Sequence, residues 1–347
     1  MTHFFSPQQA VLYLQQFLTN NKARGMMAEI ALDTTLRVLP AASKVIAGCW
    51  FLSPKVPESY RYRYAVFVLP ELYSDQDEVQ AAIGQQAENR AWQALATFLH
   101  HAGIGVVVTG ATPISKVITA DALQWHHYLY QNERLSKARD DGPFAAWPGN
   151  RGKASKGAVW LPEITQSLIN VGEQALTELV LRQAFFYGYL KQHLRKPIDD
   201  PYDVDAFVVG FRGDVLPVEV KEKSRTNQGN FGIDAGRILM LLRLCLATDS
   251  NALYLIREVD NTAERGLIGW QGVTLAEMVM GCSWNLQAGG RSMGGGATQT
   301  VMMPGSLFRD FSDMPFSEDW IGAHKSLQSS VRGIIAERAA GLENYLR

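Results

Sequence analysis

Residues 205–223 constrain this chain more than any other stretch of similar length. Two apolar runs, 206–209 and 215–218, flank a turn that contains Gly210 and Gly213. Short apolar runs of this kind, rich in Val and bounded by turn residues, read as two strands of a hairpin. Side chains alternate along a strand, so Glu219, Lys221 and Lys223 share one face while Val218 and Val220 point to the other. Asp205 on the first strand then brings a second carboxylate beside Glu219 and Lys221. Two carboxylates in so small a volume suit a hard divalent cation, and a metal held there activates water for attack on a phosphodiester. A plainer alternative is an edge strand whose solvated Glu and Lys discourage pairing. It accounts well for Lys221, Glu222 and Lys223, and less well for Glu219, which follows an apolar run.

The chain has 347 residues, of which 47% are hydrophobic and 19% charged, so it is a globular protein with sizeable cores and not a disordered one. Its length exceeds one average domain. Cys49, Cys245 and Cys282 are scattered without a CxxC spacing, which indicates neither a disulfide framework nor a zinc site and fits a reducing compartment. The amino terminus lacks the basic-then-apolar order of a signal peptide, and no apolar run reaches membrane-spanning length. A cytoplasmic protein without a membrane partner is expected. The net charge is −1. Proteins that neutralise many phosphates are usually basic, so any nucleic-acid contact must come from a local patch or be delivered by a partner.

Ser6, Pro7 and Gln9 supply an N-cap, a first-position proline and a capping-box partner for an opening helix. Strands are expected at 44–52 and 62–69, one long amphipathic helix at 75–101 closed by Gly103, and a strand at 104–108. Together they form an amino-terminal α/β (or α+β) domain over residues 1–136, suited to recognition or assembly. Residues 137–158 are dense in Gly, Pro and charge and read as a linker. Arg151, Lys153 and Lys156 make this linker either a solvated connector or a phosphate-contacting loop.

Residues 159–347 then form a second domain. It has a helix from Glu163 to about residue 194, the strand pair, a helix at 234–247 and a strand at 252–256. That order implies a mixed sheet with helices on its faces. A strand at 267–270, a short helix at 274–278 and a final helix at 318–345 complete it. The Gly-rich run 289–296 has neither the Lys-Ser/Thr of a P-loop nor a dinucleotide fingerprint, so nucleotide binding is not indicated. Neither His100–His101 nor His126–His127 makes a metal site alone. The aromatic clusters at 125–130 and 185–189 read as core or interface. Asp234 and Arg237, three apart on a helix, suit a surface salt bridge.

Glu178 on a helix, Asp205 on a strand, Glu219-x-Lys221 on the next strand, and a following helix and strand resemble the PD-(D/E)XK nuclease superfamily. The resemblance spans about residues 163–270. Val204 stands where many members carry Pro, and residues 194–202 leave little room for the strand that usually precedes the Asp strand. Asp203 shares a face with Asp205, which is preferred because the apolar run starts directly after it.

The resemblance implies a restriction-endonuclease-like mixed sheet flanked by helices, beside the additional N-terminal α/β domain. It implies that Asp205, Glu219 and the carbonyl of Val220 bind Mg²⁺ or Mn²⁺, with Glu178 holding a metal-bound water. Lys221 would orient the attacking water or stabilise the phosphate, and Lys223, Arg225 and Arg237 would touch substrate phosphates. The activity implied is a metal-dependent endonuclease acting on DNA, with RNA not excluded, in a bacterial restriction, anti-phage defence or mobile-element system. One such site cuts one strand, so a homodimer or a multiprotein complex is expected. The alternative is a non-catalytic scaffold or binding subunit that retains the fold, favoured by the near-neutral charge.

Overall fold

The computed structural model describes residues 5–36, 44–54, 62–115, 119–131, 133–149, 157–197, 202–262, 264–284, 286–288, 299–314, 317–327 and 329–346. The chain divides into two compact units, Met1–Ile30 with Gly48–Asp203 and Ala31–Ala47 with Val204–Arg347. Each is mixed α/β, a sheet flanked by helices. The units part at Asp203/Val204 and not at the 137–158 segment expected as a linker. Within that segment Phe144 and Trp147 are buried in the core of the first unit. Two large aromatic rings withdrawn from water tie this stretch to the unit, despite its Gly, Pro and charge. Arg151, Lys153, Lys156 and the Gly-rich run 289–296 lie outside the described residues.

The first unit opens with α1 (Pro7–Gln15), where Ser6 and Gln9 form the expected reciprocal capping box. Helix α2 (Asn20–Leu36), which belongs to the second unit from Ala31 on, follows, then β1 (Lys44–Leu52), in the second unit through Ala47, and β2 (Tyr64–Leu72) as an antiparallel pair. Helices α3 (Gln76–Glu88) and α4 (Arg90–His101) carry the chain across to β3 (Gly105–Pro113), which pairs parallel to β2. The helix expected over 75–101 is therefore two. Asn89 takes an extended conformation (φ −77°, ψ 115°), and its side chain accepts from Ala91 N at 2.9 Å to start the second helix. Strands β4 (Leu123–Gln131) and β5 (Arg134–Lys137) complete an antiparallel run from β3.

The helix expected from Glu163 to 194 is also interrupted. Helix α5 (Pro162–Ile169) ends before Gly172, whose φ of 96° is open to glycine, and α6 (Glu173–Gln183) restarts beyond it. The chain then widens into a π-helical segment, Ala184–His193. Its Leu194 N–H reaches back five residues to the Tyr189 carbonyl at 2.9 Å. Such segments are rare and often mark functional positions.

The second unit is built on β6 (Tyr202–Val209) and β7 (Val215–Lys223), antiparallel with Ala206 opposite Val218 and Val209 opposite Val215. Strand β8 (Asn230–Asp234) and α7 (Ala235–Thr248) lead to β9 (Leu253–Val259), parallel to β7. Next come β10 (Leu267–Thr274), α8 (Leu275–Gly281), β11 (Leu286–Ala288), β12 (Gln299–Pro304) and β13 (Arg309–Asp310). Beyond β9, strands β10 and β13 extend the sheet antiparallel, while β11, β12 and β8 form a small separate one. The final helix expected over 318–345 is α9 (Glu318–His324) and α10 (Ser329–Leu346).

One face of this sheet buries Ala206, Val208, Leu216, Val218 and Val220 with Leu32, Leu36 and Trp320. The other buries Tyr254 and Ile256 under Ile238, Leu241 and Leu242 of α7, with Ile335 of α10. No helix among the described residues is long and apolar enough to cross a membrane.

Candidate functional site

Strand β7 lies between β6 and β9, so it is an interior strand and not the solvated edge of the plainer alternative. Its register sets Glu219 level with Tyr254 of β9, and the pair after Ala206/Val218 brings Asp205 level with Glu219. Laterally paired residues project to the same face. Asp205, Glu219 and Tyr254 therefore form a row across three strands, on the face that α7 covers. All three are buried.

Asp205 is fixed by an exchange in the ladder. Its Oδ2 accepts the Val220 N–H at 2.6 Å, where a backbone carbonyl would continue the pairing. Lys221 folds back along its own strand. Its Nζ lies 2.7 Å from Glu219 Oε1, 2.7 Å from the Val220 carbonyl oxygen and 3.5 Å from Asp205 Oδ2. A second cation comes from the first turn of α7, where Arg237 Nε lies 3.2 Å from Glu219 Oε1. Burying a carboxylate as deeply as Glu219 costs several kcal/mol unless charge and hydrogen bonds offset it, and these two cations supply that offset. The Tyr254 hydroxyl keeps its proton well beyond the ordinary phenol range, because burial disfavours the phenolate.

The three oxygens expected to hold a metal, on Asp205, Glu219 and Val220, thus converge on one point, and the ammonium of Lys221 stands there. An all-oxygen set is what Mg²⁺ or Mn²⁺ takes. Asp205 Oδ1 is buried with no hydrogen-bond partner among the described residues. The Lys221 side chain is 25% exposed, so its head can swing to water and leave the oxygens to an ion. The residues present fit such a cation.

Of the remaining expected site residues, Arg237 reaches Glu219 and Lys223 follows Lys221 on β7. Glu178 lies on α6, partly buried, in the first unit, whereas Asp205, Glu219 and Lys221 are in the second. Asp203, the competing acid, belongs to the first unit, where its carboxylate comes within 4.8 Å of that of Glu29. Arg182 pairs with Glu29 at 3.1 Å.

Lys223 shares the Lys221 face and is pushed down to about 8, first by burial and then by the charge of Lys221, with Asp234 opposing. Arg225 is committed to Glu258 through two nitrogens, at 2.6 and 3.1 Å, and lies over the Phe231 ring. A guanidinium so held is part of the sheet's own charge pairing. Asp234 caps α7 by accepting the Arg237 N–H at 3.0 Å, and the Arg237 guanidinium reaches Glu219. The place of Tyr254 in the row was missed. The signal was one polar-tipped residue inside the apolar strand 252–256. No protein-family model, curated protein or solved structure matches this chain.

Proposed function

We propose that the second unit is a divalent-metal-dependent nuclease domain of the restriction-endonuclease-like type, acting on DNA. The observation that carries this reading is the convergence of Asp205, Glu219 and the Val220 carbonyl on one point, with Lys221 beside it. The chain order β6, β7, β8, α7, β9 supports it in part, since the Asp strand, the Glu-x-Lys strand, a helix and a strand follow one another as in that superfamily, with β8 added before α7. Asp205, Glu219 and Val220 would hold Mg²⁺ or Mn²⁺, and the bound ion would supply an acidified water and charge stabilisation at the phosphate.

The protein's own groups do the rest. Arg237 holds the Glu219 carboxylate in orientation from α7, and the Val220 N–H does the same for Asp205. Lys221, turned outward, presents a fixed positive charge to a phosphate that gains negative charge during attack. Lys223 is next on that face and extends the positive strip. A homodimer or multiprotein complex, and a place in bacterial restriction, anti-phage defence or mobile-element systems belong to the same reading.

A nicking assay on supercoiled plasmid with Mg²⁺ or Mn²⁺ tests it. Wild-type protein is expected to cut, and Glu219→Gln and Lys221→Met to lose about a hundredfold or more in rate. Absence of cutting on plasmid, single-stranded DNA and RNA, or cutting by Glu219→Gln at the wild-type rate, would sink the proposal. A second reading, a binding or scaffolding subunit that keeps the fold, is favoured by the clamp of Lys221 and Arg237 on Glu219. That clamp neutralises the buried acid without any metal.

A further inference from the structure

A second constellation lies wholly in the first unit. Among the described residues a cavity of about 530 Å³ opens between β4 and the π-helical segment, lined by Trp125, His126, His127, Asp141 and Tyr189 among others. A directed hydrogen-bond chain runs through its wall. Tyr189 OH donates to Asp141 Oδ1 at 2.9 Å, which spends its one proton. The same oxygen, 2.8 Å from His127 Nε2, must then accept from that nitrogen. His127 Nδ1 is left to accept from Thr109 Oγ1 at 2.9 Å. Every proton in the chain thus points toward Asp141.

Thr109, His127 and Tyr189 are buried, and Asp141 is half-buried at the mouth. Burial, with the neighbouring His126 as a smaller cause, pushes His127 down to about 3, so it is neutral at pH 7. Burial and Lys137 lower His126 in the same direction. The charged groups facing the cavity are Asp121, Asp140 and Asp141 against Lys137. The lining is therefore net acidic, and it includes aromatic rings. Trp125 lies in the wall, and Tyr189 stacks on His193 with ring centroids 5.8 Å apart and planes at 18°.

We propose that this cavity is a binding site for a small organic cation, an amine or amidine on a planar or apolar body, with the Asp141 carboxylate as its counter-ion. The relay from Thr109 through His127 and Tyr189 aims that carboxylate. The aromatic walls favour a cation over a neutral body of the same shape. The volume suits a ligand of modest size. Tyr189 occupies Oδ1 of Asp141, and among the described residues no hydrogen bond takes its second oxygen, which is left for the ligand.

Isothermal titration of the full chain with benzamidine, and with benzamide as the uncharged counterpart, tests the site. Benzamidine is expected to bind about tenfold or more tightly than benzamide, and Asp141→Asn to erase most of that difference. Tyr189→Phe keeps the ring but removes the bond that aims Asp141, and is expected to weaken benzamidine several-fold. Equal binding of the two probes, no saturable heat from benzamidine up to about 10 mM, or wild-type binding by both variants would overturn the proposal. Preference for adenosine monophosphate would also overturn it, since it would assign the cavity to anions. The readout involves neither metal ions nor strand cleavage, so it stands or falls apart from the nuclease reading.

Discussion

Lys221→Met removes the ammonium between Asp205 and Glu219 while keeping a side chain of similar length. The carboxylates it serves are 0% and 1% exposed, and the lysine lies 3.5 and 2.7 Å from them. Removing one partner of a fully buried ion pair costs about 3–5 kcal/mol. Here the lysine side chain is 25% exposed and Arg237 remains at 3.2 Å from Glu219, so solvent and the surviving cation reduce the loss. A destabilisation of about 2–3 kcal/mol is expected in the presence of a chelator.

Urea denaturation followed by fluorescence reads this as a lower midpoint with unchanged slope. The converging oxygens should then take a divalent ion more readily, because no ammonium has to be displaced. An ion at about one hundred times its Kd stabilises by about 2.7 kcal/mol, enough to offset the loss. Mn²⁺ is thus expected to restore the midpoint of Lys221→Met, to move wild type less, and to leave Lys221→Met combined with Asp205→Asn unmoved. Equal Mn²⁺ shifts in all three proteins, or a Lys221→Met midpoint already at the wild-type value in chelator, would refute the reasoning.

Three further outcomes are expected. In the unfolded chain a histidine gains its proton near pH 6.5, whereas buried His127 resists until about 3, so the unfolded state binds more protons between those values. Stability is therefore full above about pH 6.5 and falls as the pH drops through that window, by up to about 1.4 kcal/mol per pH unit. His127→Gln should flatten this dependence in thermal melts taken at a series of pH values. Gly172→Ala places a side chain at φ 96°, ψ 158° and should cost about 1–3 kcal/mol, although nothing lies within 4 Å of the added carbon. Glu222 accepts from Arg257 at 2.8 Å and Arg265 at 2.7 Å with little exposure, and Glu222→Gln should cost about 1–3 kcal/mol by urea titration, without loss of cleavage.

The sequence alone determined the local features that a few neighbouring residues control. Ser6 and Gln9 specify a helix start because both halves of the capping box lie within four positions. The alternation of 215–223 specifies a strand with Glu219 and Lys221 on one face, and the hairpin brings Asp205 to them. Helix continuity was less legible. The apolar rhythm runs on through Asn89 and Gly172, while Asn89 ends one helix and begins the next, and Gly172 begins α6 after α5 has stopped at Ile169.

Tertiary structure alone decided the partners. That β7 is interior follows from β9 pairing along it through α7, a contact more than thirty residues away in the chain. That Arg237 reaches Glu219 follows from α7 lying over that buried face, where an unpaired carboxylate would be costly. That residues 142–147 belong to a core follows from where Phe144 and Trp147 find apolar surface, and no local pattern encodes that. Sequence fixes periodicity and caps through short-range sterics and hydrogen bonds. Burial and charge pairing depend on which distant surfaces meet, and this decides whether a polar side chain becomes a site.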